Sequence, residues 1–328
     1  MVSQETWMFD VVTEQVLTQY GIKAKTVNLL SELNEYVFQV VRDDGQTFVL
    51  RLQQPDKLSD DAVHAQLNWL KAIHVETDII VPLPVALTSG KSFGNVELSQ
   101  LETTCRYVLF NWVEGERKPT PDDWVHPENL NLIGRVVAQL HNHAQNYGMP
   151  QEGSVSLLNS QGFLGEGSAL KSNEIEPHLG SLELKTFHRY IDTVASVLQE
   201  HVEKEDECGL IHADLGPHNW LFDQGVPRII DFDAFAIGYF VHDLLGVLWS
   251  HCHWKANQTY VASLFEGYET VRNISDGVKA NVFALQAAHC FMWINWVLSL
   301  KPEAQNELIP HIPFQVSIVE QLMTMKQA

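Results

Sequence analysis

Leu210–Asp233 reads LIHADLGPHNWLFDQGVPRIIDFD. The apolar pair Leu210 and Ile211 runs into His212-Ala213-Asp214, and Gly216 and Pro217 turn the chain before Asn219. A carboxylate and a carboxamide five residues apart thus share one short loop. Trp220-Leu221-Phe222 and Val226-Pro227-Arg228-Ile229-Ile230 flank Asp223-Gln224-Gly225, a pattern that predicts a β-hairpin. The hairpin is expected to bring Asp231 back beside that loop.

Two acids and an amide in this order suit phosphoryl transfer. Transfer from ATP needs a carboxylate to orient and deprotonate the acceptor hydroxyl, and oxygen ligands to hold Mg²⁺ on the phosphates. Asp214 is the candidate base, and Asn219 and Asp231 are the candidate Mg²⁺ ligands. The protein-kinase pattern H-R-D-x-x-x-x-N followed by D-F-G has the same order and spacing, with Ala213 here in place of its Arg and Asp233 in place of its Gly. A His-x-Asp alone is as well explained by a loop capped between strands; the whole constellation is not.

The segment resembles the aminoglycoside phosphotransferase, choline kinase and type II homoserine kinase superfamily, whose members carry an H-x-D-x-x-x-x-N loop and an I-D-F/W-D/E strand. The likeness continues in Asn34-Glu35-Tyr36-Val37-Phe38 leading to Phe48-Val49-Leu50-Arg51-Leu52, in Val81-Pro82-Leu83-Pro84-Val85 and in Val108-Leu109-Phe110-Asn111-Trp112-Val113-Glu114-Gly115. It covers most of residues 25 to 250. The resemblance implies an α+β, two-lobed, protein-kinase-like fold with ATP and Mg²⁺ between the lobes. Residues 1–112 would form a small β-rich nucleotide-binding lobe, and 113–328 a larger, mostly helical catalytic and acceptor-binding lobe.

The same resemblance assigns roles to single residues. Arg51, at the end of the third strand, would contact the α- and β-phosphates and pair with an acid on the following helix. Gln66 stands at that helix position, so the pair is expected to be weaker, or to be completed by another acid such as Glu76 or Asp61. The Asn111 carbonyl and the Val113 N–H are expected at the adenine edge. Backbone N–H groups around Ser31 to Asn34, a stretch without glycine, would meet phosphate. His212 is expected to pack beneath the catalytic loop, and Asp243 to begin a helix as its N-cap.

Composition agrees with such an enzyme. A chain of 328 residues, 45% hydrophobic, is long enough for about two domains with sizeable cores. With 21 Lys+Arg against 41 Asp+Glu the formal charge is −20, a poor surface for phosphate backbones, so no nucleic-acid partner is expected. Cys105, Cys208, Cys252 and Cys290 are widely separated with no CxxC pair, which argues against a disulfide scaffold and for a reducing cytoplasm. The N-terminal MVSQETWMFDVV lacks a basic region and a long apolar core, and no run approaches the ~18 apolar residues of a membrane span. The expected partner is a small-molecule hydroxyl acceptor, bound by a monomer or homodimer.

Periodicity changes near residue 113. Before it, alternation in Tyr36–Val41 and Gln46–Leu52 around Asp43-Asp44-Gly45 predicts an antiparallel hairpin. Ser59 is the expected N-cap of a helix with Val63, Leu67, Leu70 and Ile73 on one stripe. From residue 128 helices take over, with stripes at Ile133, Val136, Val137, Leu140 and at Leu184, Phe187, Ile191, Val194, Leu198. Further helices are expected near 241–254, 257–274, 278–299 and 312–325, broken at 273–277 and at Lys301-Pro302-Glu303. The polar, Gly-rich stretch from Gln145 to Pro177 is expected to be a long loop or a short helical excursion.

Other signals carry less. Ser89-Gly90-Lys91-Ser92 lacks the first glycine of a phosphate-binding Walker loop and reads as a turn. His141-Asn142-His143 and His251-Cys252-His253 put their histidines on different helix faces, which disfavours a shared metal. Asp233, two residues after Asp231, would face the same way on a regular strand, as a second ligand or as a brace for the loop. Trp249, Trp254, Phe291, Trp293 and Trp296 form either helix core or an aromatic box for a cationic acceptor. The leading reading is an ATP-dependent small-molecule kinase acting on an amino alcohol, hydroxy amino acid, sugar or aminoglycoside. The alternatives are a kinase-fold nucleotide-binding regulatory module, a protein Ser/Thr kinase and a nucleotidyl transferase.

Overall fold

The computed structural model describes residues 4–32, 35–54, 58–118, 120–151, 153–158, 175–201, 207–252, 258–300 and 302–325. The chain divides into two compact units, Met1–Gly115 with Arg228–Asp231, and Glu116–Pro227 with Phe232–Ala328. A periodicity change near residue 113 has no means of showing that Arg228–Asp231 belongs with the first unit. Two hydrogen bonds tie it there: Ile229 N–H donates to the Ile80 carbonyl (3.2 Å) and Arg228 Nη1 to the Glu114 carbonyl (3.1 Å).

The first unit is built on an antiparallel sheet of β1 (Ala24–Ser31), β2 (Tyr36–Arg42), β3 (Thr47–Gln53), β4 (Gly94–Leu98) and β5 (Thr103–Asn111), in the order β1-β2-β3-β5-β4. The expected hairpin is β2–β3, and its turn needs Gly45, whose φ of 89° lies in the left-handed region. Alternation buries Phe38, Val40, Phe48, Leu50 and Leu52 in one core with Val12, Val16 and Leu17. Those last three come from an N-terminal segment in which the sequence reading placed no element. There α1 (Gln4–Asp10) runs through a wide turn, Val11–Val16, and a tight one, Leu17–Tyr20. Helix α2 (Asp60–Glu76) starts as expected, with the Ser59 hydroxyl accepting from Ala62 N–H (3.1 Å) and Val63, Leu67, Leu70 and Ile73 buried.

In the second unit β7 (Cys208–Ile211) pairs antiparallel with β10 (Ala236–Tyr239), which also takes the short β6 (Leu157–Leu158) in parallel. Strands β8 (Trp220–Asp223) and β9 (Val226–Ile229), whose last two residues are counted with the first unit, form the hairpin, turned by Gln224 (φ 49°) and Gly225 (φ 81°). Left-handed φ at both central residues is the tight turn whose twist matches the strands. Around these lie α3 (Pro121–Trp124), α4 (Pro127–Tyr147), α5 (Ser181–His201), α6 (Phe240–Cys252), α7 (Gln258–Glu269), α8 (Asp276–Ala280), α9 (Val282–Ser299), α10 (Pro302–Leu308) and α11 (Ile312–Thr324). The fold class is α+β, as expected, with strands concentrated in the first unit and helices in the second.

Three sequence expectations need correction or limits. The stretch at 301–303 is not simply a break: Pro302 opens α10, where its missing N–H costs nothing. Val282–Ser299 is long and apolar enough to cross a membrane by length and composition, although Gln286, His289 and Asn295 interrupt its apolar run. It packs instead as a core helix, with 61% of it buried. Most of the 145–177 loop lies outside the described residues, apart from α4's end, the short β6 and a turn at Glu176–His178.

Helices α4 and α7 approach at two glycines. A Cβ on Gly134 would overlap the Leu264 carbonyl, and one on Gly267 would overlap the Asn131 backbone. Alanine normally favours a helix over glycine by about 1 kcal/mol. Here the overlap dominates, so Gly134→Ala and Gly267→Ala should each destabilise the protein by about 1–3 kcal/mol in urea denaturation.

Candidate active site

The loop after β7 is built from below. His212 is fully buried, its ring lies 4.5 Å from that of Phe232, and its Nδ1 accepts from the Asp214 N–H (3.2 Å). This is the packing role expected of it. Ala213 has φ 66°, a left-handed conformation that costs a residue with a Cβ of order 1–2 kcal/mol. The strain is held from three directions. Asp243 accepts from His212 N–H (2.9 Å) through Oδ2 and from Ala213 N–H (2.8 Å) through Oδ1, while His242 Nε2–H donates to the Ala213 carbonyl (3.1 Å). Asp243 therefore does not serve as an N-cap. It lies inside the first turn of α6, fully buried, and spends its carboxylate on the loop backbone.

On this support stands Asp214, half-exposed. Its Oδ2 accepts from Asn219 Nδ2 (2.9 Å) and from His218 Nε2–H (3.2 Å), and Asn219 Nδ2 also donates to the Asp214 carbonyl (2.8 Å). Gly216 and the tight turn Pro217–Asn219 bring the amide back to the acid, and Trp220 Nε1–H locks the turn by donating to the Leu215 carbonyl (3.1 Å). Asn219 is buried and gives its amide nitrogen to Asp214, so its Oδ1 is the atom that suits a cation. His218 escaped the sequence reading because it occupies one of the unspecified positions of the loop pattern.

Behind Asp243 a polar network is closed inside apolar packing. His141 Nε2–H donates to Asp243 (3.2 Å), and the Tyr268 hydroxyl donates to His141 Nδ1 (2.9 Å). Burial raises the Tyr268 hydroxyl far above its ordinary value, which keeps it a donor. Burial pushes the His141 and His242 imidazoles below their ordinary range, against the pull of Asp243. For Asp243 burial acts upward, but the hydrogen bond from His141 acts against it and the carboxyl lies below its usual range. His242 also stacks on His289 with ring centroids 5.0 Å apart.

The first unit carries a second cluster. Arg51 on β3 binds Asp231 Oδ1 through Nη1 (2.9 Å) and Glu35 through Nη2. The acids holding Arg51 thus include Glu35, just before β2, a partner the sequence pattern did not point to. Gln66 is buried on α2, and Asp60, at the start of that helix, engages the buried Arg106 (2.5 Å). Side-chain exposure separates the two counter-ions: Glu35 is 9% exposed, Asp231 42%. Asp231 has φ 66° and Phe232–Ala234 forms a tight turn. The strand therefore ends before the second acid, and Asp233 does not repeat the orientation of Asp231 as a regular strand would require.

At the end of β5, Asn111 N–H donates to the Leu83 carbonyl (2.9 Å), while Trp112 N–H donates to Thr47 (3.2 Å). The N–H and C=O of one strand residue point the same way, so the Asn111 carbonyl faces away from β3. Val113 is buried. Leu33 and Asn34 of the proposed phosphate-contacting backbone lie outside the described residues, as do Trp254, His253 and the side chains of Trp249, His251 and Cys252. Of the aromatic set, Phe291 is core against Phe187, while Trp293 and the exposed Trp296 lie 6.5 Å apart by ring centroid. Among the described residues, no three or more His, Cys, Asp or Glu converge as in a closed metal cage.

Two measurements test these networks. His141 and His242 stay neutral in the fold while the unfolded chain takes protons below about pH 6.5, so stability falls as pH drops through that value. Replacing His242 by Gln, which keeps a donor for the Ala213 carbonyl, should recover about 1 kcal/mol of the loss between pH 7.5 and 5.5 in urea denaturation. Glu35→Gln should lower stability by about 1–3 kcal/mol, because a hydrogen-bonded charge pair is removed from beside Arg51.

Known proteins resemble this chain in sequence and in fold. Residues 26–281 match the model of the phosphotransferase enzyme family. Amicoumacin kinase of Bacillus subtilis (strain 168) is 24% identical over 72% of this chain and 68% of its own length. A homoserine kinase of Chelativorans sp. (strain BNC1) is 30% identical over 51% of this chain, which spans 49% of that protein. Among solved structures, the microcompartment-associated aminopropanol kinase superposes with a TM-score of 0.79 at 22% identity over 96% of this chain and 97% of that one. The amicoumacin kinase hAmiN, solved with AMP-PNP, Ca²⁺ and Ami, superposes at 0.74 with 16% identity over 97% and 94%. The chain belongs to the phosphotransferase enzyme family, as an enzyme that phosphorylates an alcohol group of a small molecule.

Proposed function

We propose that the chain transfers the γ-phosphoryl group of ATP to a hydroxyl of a small metabolite, with Asp214 as general base. The observation that carries this reading is the Asp214 carboxylate, half-exposed and held at Oδ2 by Asn219 and His218. Such a carboxylate accepts the acceptor's proton as its oxygen bonds to the γ-phosphorus; the bond from that phosphorus to the bridging oxygen breaks, and ADP leaves.

Arg51 is the candidate phosphate ligand, since a guanidinium binds phosphate oxygens with two parallel N–H groups. It exchanges Asp231 for phosphate while Glu35 still balances its charge. The Asn111 carbonyl and Val113 N–H are the candidate contacts to adenine. Asn219 Oδ1 and the Asp231 carboxylate are hard oxygen donors of the kind Mg²⁺ takes. When bound, Mg²⁺ neutralises charge on the phosphate oxygens. The names of the relatives, which span an antibiotic, an amino acid and an amino alcohol, support a small hydroxyl compound as acceptor.

Purified protein with ATP and Mg²⁺ should release ADP in the presence of a hydroxyl acceptor, followed by product mass. Asp214→Asn should keep its fold and nucleotide binding while kcat falls about 10²–10⁴-fold. Pyrophosphate in place of ADP, or unchanged turnover in the variant, would sink the assignment.

A further inference from the structure

The loop that carries Asp214 is also reached by a basic side chain, Arg117, that the proposed chemistry does not use. His218 donates to the Asp214 carboxylate from a side chain that is 60% exposed. Arg117 reaches the same loop and donates from Nε to the His218 carbonyl (3.0 Å). Its segment is pinned: Glu116 and Phe222 exchange both backbone hydrogen bonds, at 3.0 and 2.9 Å. In that extended pairing the side chains of Glu116 and Arg117 point to opposite faces, so Glu116 is not placed to neutralise its neighbour. Lys118 packs its ammonium over the Phe222 ring at 4.3 Å. The anchoring bond of Arg117 uses Nε alone, which leaves the two terminal nitrogens of an exposed guanidinium for another acceptor.

We propose that Arg117 forms an anion subsite for the acceptor, so that the preferred substrate carries a carboxylate a few bonds from the hydroxyl it presents to Asp214. This rests on the reading of Asp214 as base. A guanidinium oriented through one nitrogen presents its remaining N–H groups as a planar fork, the geometry that grips a carboxylate with two bonds. The overall charge sharpens the point. A protein of formal charge −20 disfavours anions at long range, so an anionic acceptor is retained only where a local cation outweighs that field. An uncharged or cationic acceptor would need no such group. The subsite therefore selects hydroxy acids and hydroxy amino acids over the corresponding alcohols and amino alcohols.

The test uses acceptor pairs that differ only by the carboxylate: L-threonine against 1-aminopropan-2-ol, and L-homoserine against 3-aminopropan-1-ol. ADP formation is measured on the full chain and on Arg117→Gln and Arg117→Lys. The wild type should favour the carboxylated member, and Arg117→Gln should reduce that preference, as a ratio of kcat/KM, about 10- to 100-fold. Arg117→Lys, which keeps the charge without the fork, should fall between. A variant that merely loosened the loop would lower both members alike and leave the ratio unmoved, which would overturn the inference. So would equal use of both members by the wild type, or an effect confined to the KM for ATP, which would give Arg117 to the nucleotide instead. Turnover of the amino alcohols alone would refute the subsite and leave the kinase reading standing. Failure of every acceptor to elicit ADP would count against the proposed function and this inference together.

Discussion

The loop that follows β7 in the second unit depends on one buried carboxylate. Asp243 accepts two consecutive backbone N–H groups, from His212 and Ala213, and so holds Ala213 in a left-handed conformation that an alanine adopts only under constraint. Without that bend the chain could not pass from β7 into the turn that aligns Asp214 with Asn219. A buried carboxylate is costly unless its hydrogen bonds are complete, and His141 with Tyr268 completes them. The site's rigidity thus derives from residues that touch no reacting atom.

Arg51 poses the complementary problem, a nearly buried cation that under the proposed function has to be available to phosphate. Two counter-ions of unequal burial answer it. Glu35 is enclosed with the guanidinium, while Asp231 is reached by solvent and is the one that can turn to another partner. Glu35, just before β2, ties Arg51 to the sheet.

Much of this was legible in the residues. Alternation around Asp43-Asp44-Gly45, the Ser59 cap and the Gln224-Gly225 turn are local devices, each set by one or two side chains and the backbone angles they permit. The spacing from His212 to Asn219 was legible for the same reason, since the loop closes on itself through Asn219 and Asp214. The role of Asp243 was not. Its first-turn position invites a capping role, and its actual partners lie about thirty residues away in sequence. The π turn after α1 and the burial of Val12, Val16 and Leu17 against the sheet were hidden likewise, because no periodicity of that segment announces what it packs on.

By itself the sequence determined the chemistry: a carboxylate, an amide and a second carboxylate in an order that suits phosphoryl transfer, carried on elements whose local codes are strong. Only the tertiary structure decided which charges face one another. It gave Arg51 to Glu35 and Asp231, set His218 against Asp214 and Arg117 against the His218 carbonyl, and ended the strand before Asp233. The physical reason is range. Turns and caps act within a few residues, where propensity is informative, whereas ion pairs and buried hydrogen bonds join residues far apart in sequence that only folding makes neighbours.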